Sequence, residues 1–188
     1  MTHSGNDDSE QELIRLIRQG DGLAMKTLYC RTVEYLTAVC SRYVIDEDDV
    51  RDVLQDSFIK IFTAADKFEY RGEGSLKAWM ARIVVNESLK FLKRREKFEA
   101  IQYEDDLLDG ADEEEPDTKN IPAAVIQEMI RQLPTGYRAV FNLYVIEGKS
   151  HREIASLLKI KESTSASQLH RAKDMLAKRI HEYTNTAV

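Results

Sequence analysis

Apolar residues recur every three or four positions along most of this chain, a spacing typical of amphipathic helices. One example runs from Val50 through Val53, Leu54 and Phe58 to Ile61. No alternating apolar and polar pattern of useful length indicates a β-strand. The 188 residues include only 8 glycines and 3 prolines, which also favours helices over a turn-rich β fold. The sequence therefore predicts an all-α protein.

The charge is distributed unevenly, and its distribution predicts two domains. Residues 96–121 contain eleven acidic and two basic side chains and lack sustained apolar periodicity, as flexible segments do. Residues 1–95 carry a net charge of −1 and residues 122–188 a net charge of +4, within a total of −6. We therefore expect two small helical domains, 1–95 and 122–188, joined by a flexible acidic linker, 96–121.

Capping residues predict where several helices of the first domain begin. Ser9 and Glu12 have the spacing of a capping box, in which each side chain bonds the other residue's backbone N–H. Asp21, Asp46 and Ser75 each stand just before a stretch of helical apolar spacing. We expect these three residues to be N-caps.

Proline and glycine set the expected helix boundaries of the second domain. Pro122 fits the first turn of a helix. A break at Leu133-Pro134 precedes another helix, which we expect to continue through Val145 and to end at Gly148.

The strongest physical motif lies between Ser150 and Lys178. Ser150 and Glu153 form a second capping box at the start of a short helix. A tight turn and a longer helix follow, which is the order of a helix-turn-helix. Ala155 is small where the two helices would cross, and Ile160 would pack the turn against the core. An ordinary helical hairpin with a solvated face is the alternative.

The second helix of this motif carries the candidate DNA contacts. Short polar side chains near its start can reach base edges, and cations further along suit phosphates. The candidates are Ser163, Thr164, Ser165, Ser167, Gln168, His170, Arg171 and Lys173.

Carboxylates crowd the start of the third predicted helix, and three interpretations compete. Asp49, Asp52 and Asp56 share one face of that helix. Acids favour the helix dipole near an N-terminus. A metal site would need further ligands, yet no histidine or second acidic helix supplies them. Gln55 and Phe58 add polar and aromatic groups, as a protein-docking face would have.

Three smaller features have competing interpretations. Cys30 and Cys40 lack a pairing motif, so we interpret both as small buried side chains. Trp79 lies on an apolar helical face, which favours a core position over a base-stacking platform. A cationic group follows that helix, and it suits either a helix C-terminus or a nucleic-acid backbone. Its members are Lys90, Lys93, Arg94 and Arg95.

Two stretches of the chain resemble the extracytoplasmic-function sigma factors. Residues 49–95, which contain DVRDVLQDSFIKIF and GEGSLKAWMARIVVNESLKFLKRR, resemble their second region. Residues 133–179, which contain LPTGYRAVFNLYVIEGKSHREIASLL, resemble their fourth region. Two motifs in this order and at this separation are more specific than either alone. The resemblance implies a subunit that binds core RNA polymerase, directs it to promoters and helps to open the DNA.

The resemblance also implies roles for individual residues. Docking on core polymerase is expected of Asp49, Asp52, Gln55, Asp56 and Phe58. Reading of the separated minus-ten strand is expected of Lys67, Arg71, Arg82, Asn86, Lys90, Lys93 and Arg94. Reading of the duplex minus-thirty-five element is expected of Arg152 together with the eight candidate DNA contacts named above. The acidic linker matches the segment that threads toward the polymerase active centre.

Several positions depart from the family pattern. Lys159 replaces the common turn glycine, which predicts a less tight or strained turn. Ser165, Ala166 and Gln168 stand where valine, lysine and arginine are common. Lys90 occupies a position often held by aspartate.

The expected protein is a cytoplasmic, non-enzymatic sigma factor without cofactor or metal. No apolar run is long enough for a membrane span, and residues 1–12 lack a signal-peptide core. The resemblance implies an anti-sigma factor as a further partner. One alternative is a regulator that binds duplex operators without polymerase. The other is an enzyme that uses Asp49, Asp52 and Asp56 as metal ligands.

Overall fold

A computed structural model describes residues 4–95 and 121–186 of the chain. The chain divides into two compact units, Met1–Phe91 and Leu92–Val188. Every regular element of the described residues is a helix, which confirms the all-α prediction. The predicted flexible linker, apart from Ile121, lies outside the described residues. Among those residues, no helix combines the length and the apolar character needed to cross a membrane.

The first unit is built from four α-helices. They are α1 (Ser4–Arg18), α2 (Gly22–Ser41), α3 (Glu47–Thr63) and α4 (Ser75–Arg94), with a short 3-10 turn at Ala65–Lys67 after α3. The predicted caps Asp21 and Asp46 are confirmed. The Asp21 carboxylate accepts hydrogen bonds from the backbone N–H groups of Leu23 and Ala24, at 2.8 and 2.9 Å. The Asp46 carboxylate does the same for residues 48 and 49, both at 3.0 Å.

Two predicted helix starts in the first unit were wrong. Helix α1 begins at Ser4 rather than after Ser9, and Glu12 pairs instead with Arg15, at 2.6 Å between Oε1 and Nη2. Helix α4 begins at Ser75 itself. The Ser75 hydroxyl accepts a hydrogen bond from the backbone N–H of Arg71 at 3.2 Å. It therefore fixes the loop before the helix rather than the first turn of the helix.

The core of the first unit follows the helical spacing of its apolar residues. The most buried side chains include Leu28 and Leu36 of α2, Ile61 of α3, and Met80 and Val84 of α4. Each comes from the inner face of its helix, where residues three and four apart lie together. Burial of this apolar surface holds the four helices together.

The two cysteines differ in exposure. Cys40 is buried as predicted, whereas Cys30 is exposed, so that prediction was wrong for Cys30. The Cys40 thiol lies 3.5 Å from the Ser88 hydroxyl, and burial raises the pKa of the Cys40 thiol. The single tryptophan, Trp79, is half-buried, and its ring packs against Phe68 with a centroid distance of 5.3 Å.

Residues 121–186 of the second unit form four further α-helices. They are α5 (Ala123–Arg131), α6 (Thr135–Phe141), α7 (His151–Leu158) and α8 (Glu162–Thr186). The predicted continuous helix through Val145 ends its α-helical part at Phe141 and continues as a π-helical turn, Asn142–Ile146. The core of this unit joins α5 and α6 to the second half of α8. One cluster of buried residues in this core consists of Ile121, Met129, Leu133, Tyr137, Ala172, Leu176 and Ile180.

Two arginines satisfy carbonyl groups around the end of α5, where a helix lacks internal donors. Arg138 is buried, and its Nη1 donates to the carbonyls of Arg131 and Leu133 at 3.1 and 2.8 Å. Arg179 of α8 donates to the carbonyl of Met129 at 2.7 Å. Burial lowers the pKa of Arg138 to about 10, so the guanidinium stays charged at neutral pH.

Candidate functional site

Helices α7 and α8 form the predicted helix-turn-helix. The Ser150 capping box at the start of α7 is confirmed, with reciprocal bonds between Ser150 and Glu153. The turn between the helices passes through Lys159, which has φ +58° and ψ +42°. This left-handed conformation is unfavourable for a residue with a Cβ. The backbone N–H of Ile160 then bonds the carbonyl of Ala155 at 3.1 Å, which closes the turn.

Most of the predicted minus-thirty-five contacts lie on the accessible side of this motif. Arg152 of α7 is exposed, as are Ser163, Ser167 and Lys173 of α8. Thr164, His170 and Arg171 are half-buried. His170 faces Asp174 on the same helix, with 3.5 Å between its Nε2 and the carboxylate. The outer side of α8 therefore offers hydroxyl groups near its start and cationic groups further along.

Two predicted contacts face the interior instead. Ser165 is completely buried and Gln168 is 8% exposed. Both lie on the side of α8 that packs inward, beside Leu169 and Ala172, because residues three, four and seven apart share a helix face. These two side chains are therefore not available to bases in this structure.

His151, which the sequence analysis missed, contacts the buried Ser165. The Ser165 hydroxyl lies 3.0 Å from Nδ1 of His151, the first residue of α7. The His151 ring also stacks on Tyr144, with a centroid distance of 4.7 Å and an interplanar angle of 23°. Two contacts thus fix the imidazole at the start of α7. Its place directly after the Ser150 cap was the only sequence signal.

The predicted docking face of α3 is only partly exposed. Asp52, Gln55 and Asp56 are exposed, whereas Asp49 and Phe58 are each 5% exposed. The Phe58 ring packs in the first unit, with its centroid 4.7 Å from that of Tyr29. Phe58 is therefore a core residue here, and Asp49 lies on the inward side of the first turn.

The sequence analysis missed an exposed apolar residue beside the predicted docking residues. Ile59 lies three residues after Asp56 and four after Gln55, so it shares their face. It is 55% exposed, which is unusual for an isoleucine with buried neighbours. The spacing alone could have placed Ile59 on this surface instead of Phe58.

The predicted minus-ten surface combines a loop with one side of α4. Lys67 and Arg71 are exposed on the loop between α3 and α4. On α4, Arg82, Asn86 and Lys90 are exposed at intervals of four residues and form one row. Arg94 is exposed near the end of this helix, and Lys93 is half-buried.

Arg18 of α1 holds the start of the loop between α3 and α4, and local sequence patterns gave no sign of it. Its Nε donates to the carbonyl of Ala65 at 3.1 Å, and its Nη2 donates to the carbonyl of Phe68 at 2.7 Å. The Asp66 carboxylate lies 4.0 Å from the same guanidinium. One side chain therefore joins α1 to a turn almost fifty residues away.

Glu87 is the third missed residue of the first unit. Its side chain is 7% exposed, and its two carboxylate oxygens contact Lys60 of α3 and Lys90 of α4. Burial would raise the pKa of this carboxyl, but the bonds and charges of the two lysines outweigh burial and lower it. Glu87 is therefore ionised at neutral pH and links α3 to α4.

Both units match models of one protein family. Residues 28–98 match Sigma-70 region 2, and residues 123–176 match Sigma-70, region 4. The two matches together span more than half of the chain. The chain belongs to the sigma-70 family. This sigma factor binds core RNA polymerase and directs transcription initiation at specific promoters.

Relatives of similar length match nearly the whole chain. The sigma factor is 28% identical to the ECF RNA polymerase sigma-E factor of Escherichia coli K12 over 92% of this chain and 94% of that protein. It is 29% identical to the sigma-E factor of Haemophilus influenzae over 92% and 95%. A solved structure of RpoE in complex with the anti-sigma factor NepR from Bartonella quintana is 21% identical, with a TM-score of 0.48, over 84% of this chain and 96% of that chain.

The carboxylates of α3 do not gather into a metal site. In residues 4–95 and 121–186, no group of three or more His, Cys, Asp or Glu side chains is placed to hold a metal ion. Asp49 lies inward, whereas Asp52 and Asp56 lie outward.

Proposed function

We propose that this sigma factor uses two separate readers, one on each unit, which core RNA polymerase holds at the spacing of the promoter elements. Residues 1–95 would dock on polymerase and read the minus-ten element. Residues 96–121 would serve as the acidic tether. Residues 122–188 would read the minus-thirty-five element. The observation that supports this division best is an exposed polar face on each matched region, α3 and α4 in one and α8 in the other.

The proposed polymerase-docking face is the exposed side of α3. It contains Asp52, Gln55, Asp56 and Ile59, a mixture of charged, polar and apolar side chains that suits a protein interface. The buried Asp49 and Phe58 would support this face from within rather than contact the polymerase.

The proposed minus-ten surface consists of the loop between α3 and α4 and the exposed row of Arg82, Asn86 and Lys90 on α4. Lys67 and Arg71 of the loop and Arg82 of α4 would neutralise phosphates of the separated strand. Asn86 carries both donors and an acceptor, so it suits the edge of a base moved out of the stack. Arg18 would act indirectly, because it fixes the start of the loop.

The proposed minus-thirty-five surface is the outer side of α8 with Arg152 of α7. Ser163, Thr164 and Ser167 lie near the start of α8, the part of a recognition helix that reaches base edges. Arg171 and Lys173 lie further along and suit phosphates, as does His170. Ser165 and Gln168 are left out of this surface because they are buried.

The remaining assignments concern partners and location. We propose that the chain performs no chemistry itself, since nucleotidyl transfer belongs to the polymerase. We also propose that it acts in the cytoplasm, where the polymerase and promoters are. We further propose that an anti-sigma factor controls it, as is usual among the extracytoplasmic-function sigma factors that the sequence resembles.

The experiment is reconstitution of initiation with purified core polymerase. Core polymerase and total genomic DNA of the same bacterium would be incubated with nucleotides, with and without the sigma factor, and the 5′ ends of the transcripts mapped. We expect new starts at a small set of sites that share upstream elements. A duplex-binding regulator would add no starts to core polymerase, and that result would reject the proposal.

A further inference from the structure

A buried carboxylate holds two lysines of different helices together in the first unit. Oε2 of Glu87 lies 2.6 Å from Nζ of Lys60, and its Oε1 lies 2.9 Å from Nζ of Lys90. The Glu87 side chain is 7% exposed, whereas those of Lys60 and Lys90 are 45% and 60% exposed. The acid is therefore on the inside of the cluster, and both lysine side chains lie toward solvent.

Two ammonium groups surround one carboxylate in the cluster of Lys60, Glu87 and Lys90. The carboxylate is ionised at neutral pH, because the two lysines lower the pKa of Glu87. Each ammonium carries three N–H donors, so an ammonium that bonds a carboxylate can also bond a second anion. Glu87 would fix the positions of both lysines while they bind that anion.

The position of the cluster indicates which anion would bind. Lys90 continues the exposed row that includes Arg82 and Asn86 on α4, the row proposed to face the separated strand. Lys60 lies on α3, four residues after Asp56, where the acidic face of that helix has ended. A phosphodiester group, which lysine binds as a compact point charge, suits such a pair.

We propose that Lys60 and Lys90 together form a two-cation site for the phosphate backbone of the separated promoter strand. This site extends the minus-ten surface from α4 onto α3. It adds Lys60, which the sequence gave no reason to select, to the residues that contact DNA. The inference rests on the proposed assignment of α4 to the minus-ten element. The competing account is an ion pair that only ties α3 to α4.

The test measures how salt weakens DNA binding by the complete holoenzyme. On single-stranded DNA, removing one cation that neutralises a phosphate lowers the steepness of log K against log salt by about 0.7. A promoter fragment from the initiation experiment, with its minus-ten region pre-separated, would be titrated with holoenzyme at several salt concentrations. We expect Lys60→Ala and Lys90→Ala each to lower this steepness by about 0.7 and the double variant by about 1.4.

Two further variants make the result specific. Lys26→Ala removes an exposed lysine of α2 outside the cluster and is expected to leave the slope unchanged. Lys60→Met keeps much of the aliphatic stem and is expected to behave like Lys60→Ala. Tryptophan fluorescence in urea reports whether each variant retains the folded first unit, since Trp79 belongs to it.

The possible failures can be told apart. If wild-type holoenzyme initiates but both Lys60 variants keep the wild-type slope, the two-cation site is wrong and the proposed function stands. If Lys60→Ala instead weakens binding to core polymerase at an unchanged slope, Lys60 belongs to the docking face and the inference is again wrong. If wild-type protein supports no initiation at all, the proposed function itself fails.

Discussion

Replacement of Lys159 by glycine is expected to stabilise the second unit. Lys159 is exposed and has φ +58°, and an L-residue in this conformation costs about 1–2 kcal/mol. Glycine avoids that cost but loses more conformational freedom on folding, which costs about 0.5–1 kcal/mol. At the midpoints of these ranges, the net gain for Lys159→Gly is about 0.75 kcal/mol. For a domain of this size that free energy corresponds to an increase in melting temperature of roughly 3–6 °C.

Replacement of Gly148 by alanine tests the opposite effect, the introduction of left-handed strain in the second unit. Gly148 has φ +63°, and an added Cβ would meet no atom within 4 Å. Gly148→Ala therefore imposes the left-handed strain without a clash, and it is expected to destabilise the unit by about 1 kcal/mol. Lys159→Ala removes the lysine side chain but keeps the strain, so it separates the backbone effect from loss of the charge.

Hydrogen exchange of the full-length chain is the suitable assay, because it reports each unit separately. Exchange of amides in α7 and α8 should slow in Lys159→Gly and accelerate in Gly148→Ala. Fluorescence of Trp79, the single tryptophan, reports the first unit and should give the same urea midpoint in all three variants. Unchanged or faster exchange in Lys159→Gly would refute the argument from the left-handed turn.

Three further predictions concern docking, capping and pH. In a fluorescence titration with core polymerase, changing Asp52 and Asp56 together to Ala should weaken binding about tenfold, because both carboxylates are exposed. The urea midpoint of this variant should be unchanged. As a control, Glu34→Ala, which removes an exposed acid of α2, should bind normally in the same titration. Ser150→Ala should destabilise the second unit by about 1 kcal/mol through loss of the capping box, measured by hydrogen exchange. The folded-state pKa of Glu87 is lowered from its ordinary value of 4.5. The ionised Glu87 therefore contributes stability above pH 4.5, and this contribution is lost as the pH falls through the folded-state pKa. Urea midpoints measured from about pH 7 down to about pH 3 should accordingly fall less for Glu87→Gln than for wild type.

The helices were predictable because their signal is local. Asp21 and Asp46 cap helices as expected, and the spacing of residues such as Leu36 and Ile61 placed them in the core. The turn at Lys159 was also predictable, since a lysine at a glycine position leaves the left-handed conformation strained.

It was harder to predict which side chains of each helix face the solvent. The prediction relied on whether a residue is polar instead of on its position around the helix. Ser165 and Gln168 were assigned to DNA because they are polar, yet their spacing from Leu169 and Ala172 puts them inward. The opposite error occurred on α3. Phe58 was assigned to the surface, although Leu54, four residues before it, and Ile61, three residues after it, are core residues.

The contacts that position the site were beyond local analysis. Arg18 reaches carbonyls 47 and 50 residues away, and Glu87 meets Lys60 across two helices. Spacing within one helix carries no information about which side chain of another helix will lie opposite. Such pairs follow from tertiary packing and require the structure.

The account is tested most directly by the affinity of the chain for one mapped promoter, measured with and without core polymerase at the same salt concentration. The two readers lie on separate units, and the chain carries a net charge of −6. Free protein should therefore bind the duplex weakly and with little selectivity. Holoenzyme should bind the promoter selectively over a fragment with both elements scrambled. Tight, selective binding of the duplex by the free chain, with no effect of core polymerase, would contradict the proposal that core polymerase positions two separate readers.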